Sequence, residues 1–166
     1  MSTVQRAARP GERAMPGRGG DTAAGLPLSL AIRATPEATR EAVAAVRGIL
    51  ARSGAAPGLL FRVELVLAEV LNNICEHAYG GGAGRVWLKA RTEGDALCVT
   101  VSDRGLPMPG GDMPDGALPD MDVPCEFQPE GGFGWYLIHS QVDSLDYCRR
   151  DGENILGLRF TPRSGA

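Results

Sequence analysis

Three groups of residues in this sequence have the types and spacing to do chemistry. The first is Glu69, Asn73 and His77, which fall at i, i+4 and i+8 and so stack along one stripe of any helix that carries them, with Asn72 and Glu76 beside it. A carboxylate and a carboxamide one turn apart form an oxygen-rich ledge. Such a ledge could hold Mg²⁺ through the carboxamide oxygen and poise a base toward a hydroxyl or a water. A solvated polar face is the simpler account of the stripe. Against it, two asparagines in succession oppose local helix propensity, and lysine, glutamate or alanine would serve a solvated face better. His77 reads as a packed or surface histidine rather than a ligand.

The second group is Asp103-Arg104-Gly105. An acid that ends a strand can accept a hydrogen bond from an exocyclic amine such as that of adenine. The glycine two residues on lets a flat ring approach the backbone. Alone, the tripeptide is also an ordinary turn. The third group is Gly131-Gly132-Phe133-Gly134, placed where a helix should open. Bare N–H groups and the helix macrodipole make phosphate a natural ligand there, although a lone G-G-x-G also fits a flexible loop end. Between Gly105 and Gly131 stand Asp112, Asp115, Asp120, Asp122, Glu126 and Glu130, with no Lys or Arg. If a triphosphate binds, its charge must be met by Mg²⁺, by the glycine-rich helix start and by Arg104. Otherwise the segment is a solvated surface loop.

These groups need elements to position them. Leu26–Ile32 alternates and suits an edge strand that tolerates a proline. Thr35-Pro36 starts a helix that carries Ala42, Val43, Val46, Ile49 and Leu50 up to Gly54. A second helix should run from about Pro57 to Tyr79, ended by Gly80-Gly81-Gly82, with Leu67, Val70, Leu71, Ile74 and Ala78 on its apolar face. Strands follow at Gly84–Arg91 and Ala96–Asp103, joined across Thr92-Glu93-Gly94-Asp95. Residues 104–132 carry no periodic pattern, and an aperiodic stretch this long suggests a functional lid or a disordered segment. A third helix near Gly132 should turn Trp135, Leu137 and Ile138 inward. A final hairpin pairs Ser144–Arg149 with Asn154–Thr161. The order β-α-α-β-β-loop-α-β-β predicts an α+β two-layer sandwich, with about three helices on one face of a mostly antiparallel, mixed sheet.

At 166 residues the chain has room for one domain with a proper core. Residues 1–25, rich in Gly, Arg, Ala and Pro, are expected to be a disordered tail. Residues 26–162 should form the domain, and 163–166 a short C-terminal tail. The net charge is −3 and Lys89 is the single lysine, so no basic stripe for a phosphate backbone is evident and nucleic acid is not expected as a partner. The longest apolar stretches are too short to span a bilayer, and the N-terminal arginines precede no apolar h-region, which together predict a cytoplasmic protein and no membrane association. Cys75, Cys98, Cys125 and Cys148 are widely scattered, which suits free thiols better than zinc ligands.

Taken in order, the motifs resemble the GHKL ATP-binding superfamily, and within it the anti-sigma-factor serine/threonine protein kinase branch. Ala-Glu69-Val-Leu-Asn-Asn73-Ile-Cys-Glu-His77-Ala-Tyr is similar to that branch's N-box, Ser-Asp103-Arg-Gly105-Leu-Pro to its first glycine box, and Gly131-Gly-Phe-Gly134-Trp-Tyr-Leu-Ile to its second. The resemblance covers roughly residues 26–162. It implies the Bergerat fold, with ATP and Mg²⁺ as cofactors. Glu69 is implied as the catalytic base toward a partner's serine hydroxyl, and Asn73 as the Mg²⁺ ligand. Asp103 is implied as the adenine acceptor with Gly105 shaping its pocket, and Gly131, Gly132 and Gly134 as phosphate-binding lid hinges. It further implies a STAS-type antagonist as the phosphorylated partner, a sigma factor as a second partner, and a homodimer. A module that binds ATP and sequesters a partner without catalysis is the alternative. A gyrase-type or chaperone-type ATPase is disfavoured because no second domain exists to exploit hydrolysis. Two positions depart from the wider pattern: Pro107 replaces a second glycine and stiffens the loop, and bulky Trp135 directly follows the last glycine.

Overall fold

Period-two and period-3.6 patterns alternate along the chain, and in the computed structural model, which describes residues 28–117 and 133–163, they become strands and helices in that order. Strand β1 (Leu28–Arg33) leads into α1 (Pro36–Arg52). Thr35 caps α1: its Oγ1 accepts the Ala38 N–H at 3.3 Å, while Pro36 takes the first helical position, where a missing N–H costs nothing. Helix α2 (Pro57–Asn73) is followed by β2 (Arg85–Glu93), β3 (Ala96–Asp103), α3 (Phe133–Gln141), β4 (Ser144–Arg150) and β5 (Glu153–Phe160). Asp151 and Gly152 both take positive φ, 52° and 78°, the backbone that a tight two-residue hairpin between β4 and β5 requires.

The five strands lie in the order β1-β2-β3-β5-β4, and every pairing among them is antiparallel. The α+β two-layer expectation therefore holds, without the parallel pair that a mixed sheet would allow among the described strands. Because β5 lies between β3 and β4, those two strands run in the same direction. The chain must cross back over the sheet between them, and α3 is the return leg. That topology brings the start of α3 to the end of the sheet where β3 finishes, at Asp103.

Helix packing fixes the other side of that meeting point. Val46 of α1, Val63, Val66, Leu67, Val70 and Leu71 of α2 and Ile138 of α3 are almost wholly buried against Leu88, Val99, Val101 and Phe160 of the sheet. Burial of each such side chain contributes about 1.5–3 kcal/mol. Arg62 adds a polar clasp under α2. Its Nε donates to the Gln141 carbonyl at 2.8 Å, Nη1 to the Thr161 carbonyl at 2.8 Å and Nη2 to Asp143 Oδ2 at 2.8 Å, with the guanidinium 5.7 Å from the Phe160 ring centroid.

Some boundaries differ from the sequence reading. Leu26 and Pro27 lie outside the described residues, as do the whole of the expected N-terminal tail, residues 118–132 and residues 164–166. The second helix does not run uniformly to Tyr79; at Ile74–Ala78 it widens into a π turn, marked by the i to i+5 bond from the Tyr79 N–H to the Ile74 carbonyl. In α3 only Ile138 is fully buried, and Trp135 and Leu137 are partly exposed. A nine-residue helix presents one narrow stripe to the core, and Leu137 sits a third of a turn away from the line through Trp135 and Ile138. No helix is long and apolar enough to cross a membrane among the described residues.

Candidate functional site

The end of α2, the end of β3 and the start of α3 converge on a cavity of about 360 Å³. Asn73, His77 and Asp103 are among its polar lining residues, and Ile74, Val101 and Leu156 are among its apolar ones. Its size and its mostly apolar walls with a few polar groups match a pocket for a small organic ligand. No Lys or Arg lines it among the described residues.

Asp103 is 4% exposed, and this is the residue that alternation along β3 turns toward the helices. Its Oδ1 accepts the Gly105 N–H at 2.8 Å and Asn154 Nδ2 at 2.9 Å. No donor among the described residues meets Oδ2, which leaves that oxygen for a ligand amine. Burial pushes the Asp103 carboxyl above its ordinary value, while the bonds from Asn154 and Gly105 oppose the rise.

Gly105 is held hard against the π turn. A Cβ there would fall on the Ala78 carbonyl oxygen and 2.7 Å from the Ala78 Cβ, and the next residue's N–H, at Leu106, donates to that same carbonyl at 2.8 Å. The acid-turn-glycine segment is thus seated on the end of α2, and only glycine allows so close an approach.

Of the Asn72-Asn73 pair, Asn72 faces solvent and Asn73 faces the cavity. Asn73 Nδ2 is buried with no hydrogen-bond partner, the single such side-chain atom among the described residues. An orphaned buried amide costs about 1–3 kcal/mol, and a ligand would relieve that cost. Turning the amide would present Oδ1 in the same place, so the side chain fits a hard cation as well as a polar ligand group. Glu69, one turn earlier, is only partly buried and is not part of the cavity wall. It meets α3 instead: a Cβ on Gly134 would come within 2.8 Å of Glu69 Oε2 and within 3.9 Å of Asn73 Nδ2 and Oδ1.

The structure thus joins Glu69, Asn73 and Gly134 in one contact, and Asn73, Asp103 and Gly105 around one cavity. Gly131 and Gly132 lie outside the described residues. His77 is exposed at the cavity wall, as a surface histidine would be. Arg104 does not serve the cavity. Its guanidinium lies 5.9 Å from the Trp87 ring centroid, and Trp87 belongs to the outward register of β2. Cys75, Cys98 and Cys148 are free thiols, and Cys125 lies outside the described residues.

Sequence reasoning missed the support beneath Asp103. Asn154 is 6% exposed; besides Asp103, its Nδ2 donates to the Leu106 carbonyl at 3.0 Å. Its Oδ1 accepts the Tyr147 hydroxyl at 2.9 Å and Arg149 Nη1 at 2.6 Å, and Arg149 Nη1 also donates to the Gly105 carbonyl at 3.0 Å. One signal was available. Asn154 stands in phase with Leu156, Leu158 and Phe160, an inward position where a polar residue needs a partner.

Residues 32–160 match the model of the histidine kinase-like ATPase domain. The serine-protein kinase RsbW of Bacillus cereus strain AH187 is 28% identical over 131 residues, covering 76% of this chain and 82% of that protein. The serine-protein kinase RsbW of Bacillus mycoides strain KBAB4 is similar to the same extent. The crystal structure of the RsbU and RsbW domains of Rv1364c from Mycobacterium tuberculosis aligns with a TM-score of 0.58 at 22% identity, over 82% of this chain and 32% of that one. This chain spans about a third of that solved structure, and the likeness there is one of fold.

Proposed function

The chain belongs to the histidine kinase-like ATPase domain family, and from that premise we propose that it is a serine/threonine protein kinase of the anti-sigma-factor type. Under this reading it uses Mg·ATP to phosphorylate a serine on a small STAS-type antagonist. The observation that carries the reading is the pairing of Asn73, whose buried amide has no partner among the described residues, with buried Asp103 across one cavity. The similarity to two serine-protein kinases supports the choice of branch.

The reading gives each residue a role. Asp103 accepts the adenine amine on Oδ2, its other oxygen being engaged by Asn154 and Gly105. Gly105 lets the turn lie close to the ring. Asn73 would hold Mg²⁺ through its carboxamide oxygen, and when bound the ion would supply positive charge to the phosphates, which no Lys or Arg among the described residues of the cavity wall provides. Gly134, at the start of α3, offers its N–H to phosphate, and Gly131 and Gly132, which lie outside the described residues, are its proposed partners as lid hinges. Glu69 accepts the proton of the attacking serine hydroxyl; phosphoryl transfer otherwise asks mainly for positioning and charge neutralisation. The kinase domain is residues 26–162. A sigma factor is its second partner, and the working unit is a homodimer in the cytoplasm.

One observation favours a second reading, a non-catalytic ATP-dependent module that sequesters a partner. Glu69 lies outside the cavity wall and against Gly134. Incubation with Mg·ATP and the candidate antagonist, followed by intact-mass analysis, separates the two. The kinase adds one phosphoryl mass to the antagonist, and Glu69→Gln binds ATP but adds none. ATP binding without any mass change would establish the module instead.

A further inference from the structure

The helices cover one face of the sheet, and the other face carries a second concavity, of about 350 Å³, whose lining includes Arg33, Arg85, Arg104, Trp87 and Tyr79. It belongs to no part of the cavity described above. Arg33 and Arg85 are direct partners in the β1–β2 register, so their side chains leave the same face side by side. Like charges opposite one another across a strand pair are destabilising. Neither guanidinium has a carboxylate partner among the described residues, and Arg104 reaches Glu153 only at 4.0 Å. Three cations line this concavity, Arg104 with its guanidinium 5.9 Å from the Trp87 ring centroid and Arg33 and Arg85 paired across the strands, and such a surface gains stability when an anion arrives.

The positive surface continues along β2. Its outward residues read Arg85, Trp87, Lys89, Arg91 and Glu93; Arg91 is paired with Glu93 at 2.6 Å, while Arg85 and Lys89 have no carboxylate partner among the described residues. Strand alternation gathers these residues onto one face, which is why a chain of net charge −3 with a single lysine shows no such patch in its linear sequence. The cations are spread along the strand rather than converging on a point, which suits an extended chain better than a small ion. The net negative charge of the whole protein repels a polyanion at long range, which favours a locally acidic protein segment over nucleic acid. Trp and Arg together are also the residues most enriched among the energetic centres of protein interfaces.

We propose that this notch is the docking site for an acidic segment of a partner protein. Carboxylates of the segment are held by Arg33 and Arg85, whose planar forks suit bidentate carboxylate bonds, and an apolar or aromatic side chain packs on Trp87. The site is independent of the nucleotide reading. Its test needs no ATP, so its failure would leave the kinase proposal standing.

The probe is a fluorescein-labelled peptide of alternating glutamate and tyrosine, titrated by anisotropy into the full chain. The double variant Arg33→Gln/Arg85→Gln should weaken binding at least about tenfold, and Trp87→Ala should weaken it several-fold. A control with the same charge change on the helical face, Arg40→Gln/Arg52→Gln, should weaken it by less than about twofold. The double notch variant sits at exposed positions and relieves a repulsion, so its melting midpoint should not fall and lost binding reports a lost site. Equal loss in both double variants, or no binding by the wild-type chain, would overturn the proposal. So would tighter binding of single-stranded oligothymidine than of the peptide, or displacement of the peptide by millimolar phosphate where chloride of equal ionic strength leaves it bound.

Discussion

Replacing Gly134 by alanine separates a catalytic role for Glu69 from a structural one. The added Cβ would lie 2.8 Å from Glu69 Oε2, about 0.6 Å inside ordinary contact at 3.4 Å, while its 3.8 Å approach to Asn73 Nδ2 is unstrained. Glu69 Oε2 is the far end of a flexible side chain, so the carboxylate gives way rather than the backbone. The fold should not suffer: alanine in place of a helical glycine contributes up to about 1 kcal/mol, or roughly 2–4 °C in melting midpoint for a chain of this size. Displacing a reacting group by about 1 Å can cost on the order of 10²-fold in rate. Gly134→Ala should therefore lower single-turnover phosphorylation of the antagonist, followed by intact mass, by at least about tenfold. ATP affinity should change by less than about threefold, since Asn73 and Asp103 stay in place. Wild-type transfer in this variant would refute a catalytic position for Glu69 beside Gly134. Loss of ATP binding together with transfer would show instead that the Cβ blocks the phosphates.

Four further outcomes follow from the geometry. Gly105→Ala has no flexible neighbour to displace, because its Cβ meets the Ala78 backbone; it should cost about 1–3 kcal/mol in urea unfolding. Burial raises the Asp103 carboxyl, so as pH falls protonation should weaken nucleotide binding at a higher pH than an ordinary aspartate would, and Asp103→Asn should give a weak, pH-independent affinity by fluorescent-nucleotide titration. Burial would also raise the Asp143 carboxyl, but the Thr161 N–H at 2.6 Å and the Arg62 guanidinium hold it at about 2. A depressed acid stabilises the fold above its unfolded value and loses that contribution as pH falls, so about 1 kcal/mol, discounted for partial exposure, should disappear between about pH 4 and pH 2 and be absent in Asp143→Asn. Arg62→Met would strand two carbonyls and the Asp143 carboxylate around a side chain that is 7% exposed, which should cost about 3–5 kcal/mol in denaturant unfolding.

Much of the fold was legible because its signals are local. Thr35-Pro36 marks the start of α1 by capping chemistry, and alternation marks β2, β3 and β5. The improbable Asn72-Asn73 pair marks a stretch of helix under a demand other than packing, although only contact with α3 reveals that Asn73 alone turns inward. What the sequence hid depends on register and on packing between distant elements. Asn154 acquires meaning only when β5 slots beside β3 and lays it against Asp103, 51 positions away along the chain. Arg104 looks available to phosphate in the sequence, yet the turn that buries Asp103 sends the next side chain to the opposite face, over Trp87. The widening at Ile74–Ala78 has no compositional marker; its visible partner is distant in sequence, the Gly105 turn seated on Ala78.

The proposed convergence of Asn73 and Asp103 on one magnesium-bound nucleotide is tested most directly by calorimetric titration of ATP, with and without Mg²⁺, into the wild-type chain and into Asn73→Ala and Asp103→Asn. Withdrawal of magnesium should weaken ATP at least about tenfold in the wild type, leave Asn73→Ala nearly unaffected, and lower an already weakened Asp103→Asn further. Full magnesium dependence in Asn73→Ala, or wild-type affinity in Asp103→Asn, would contradict it.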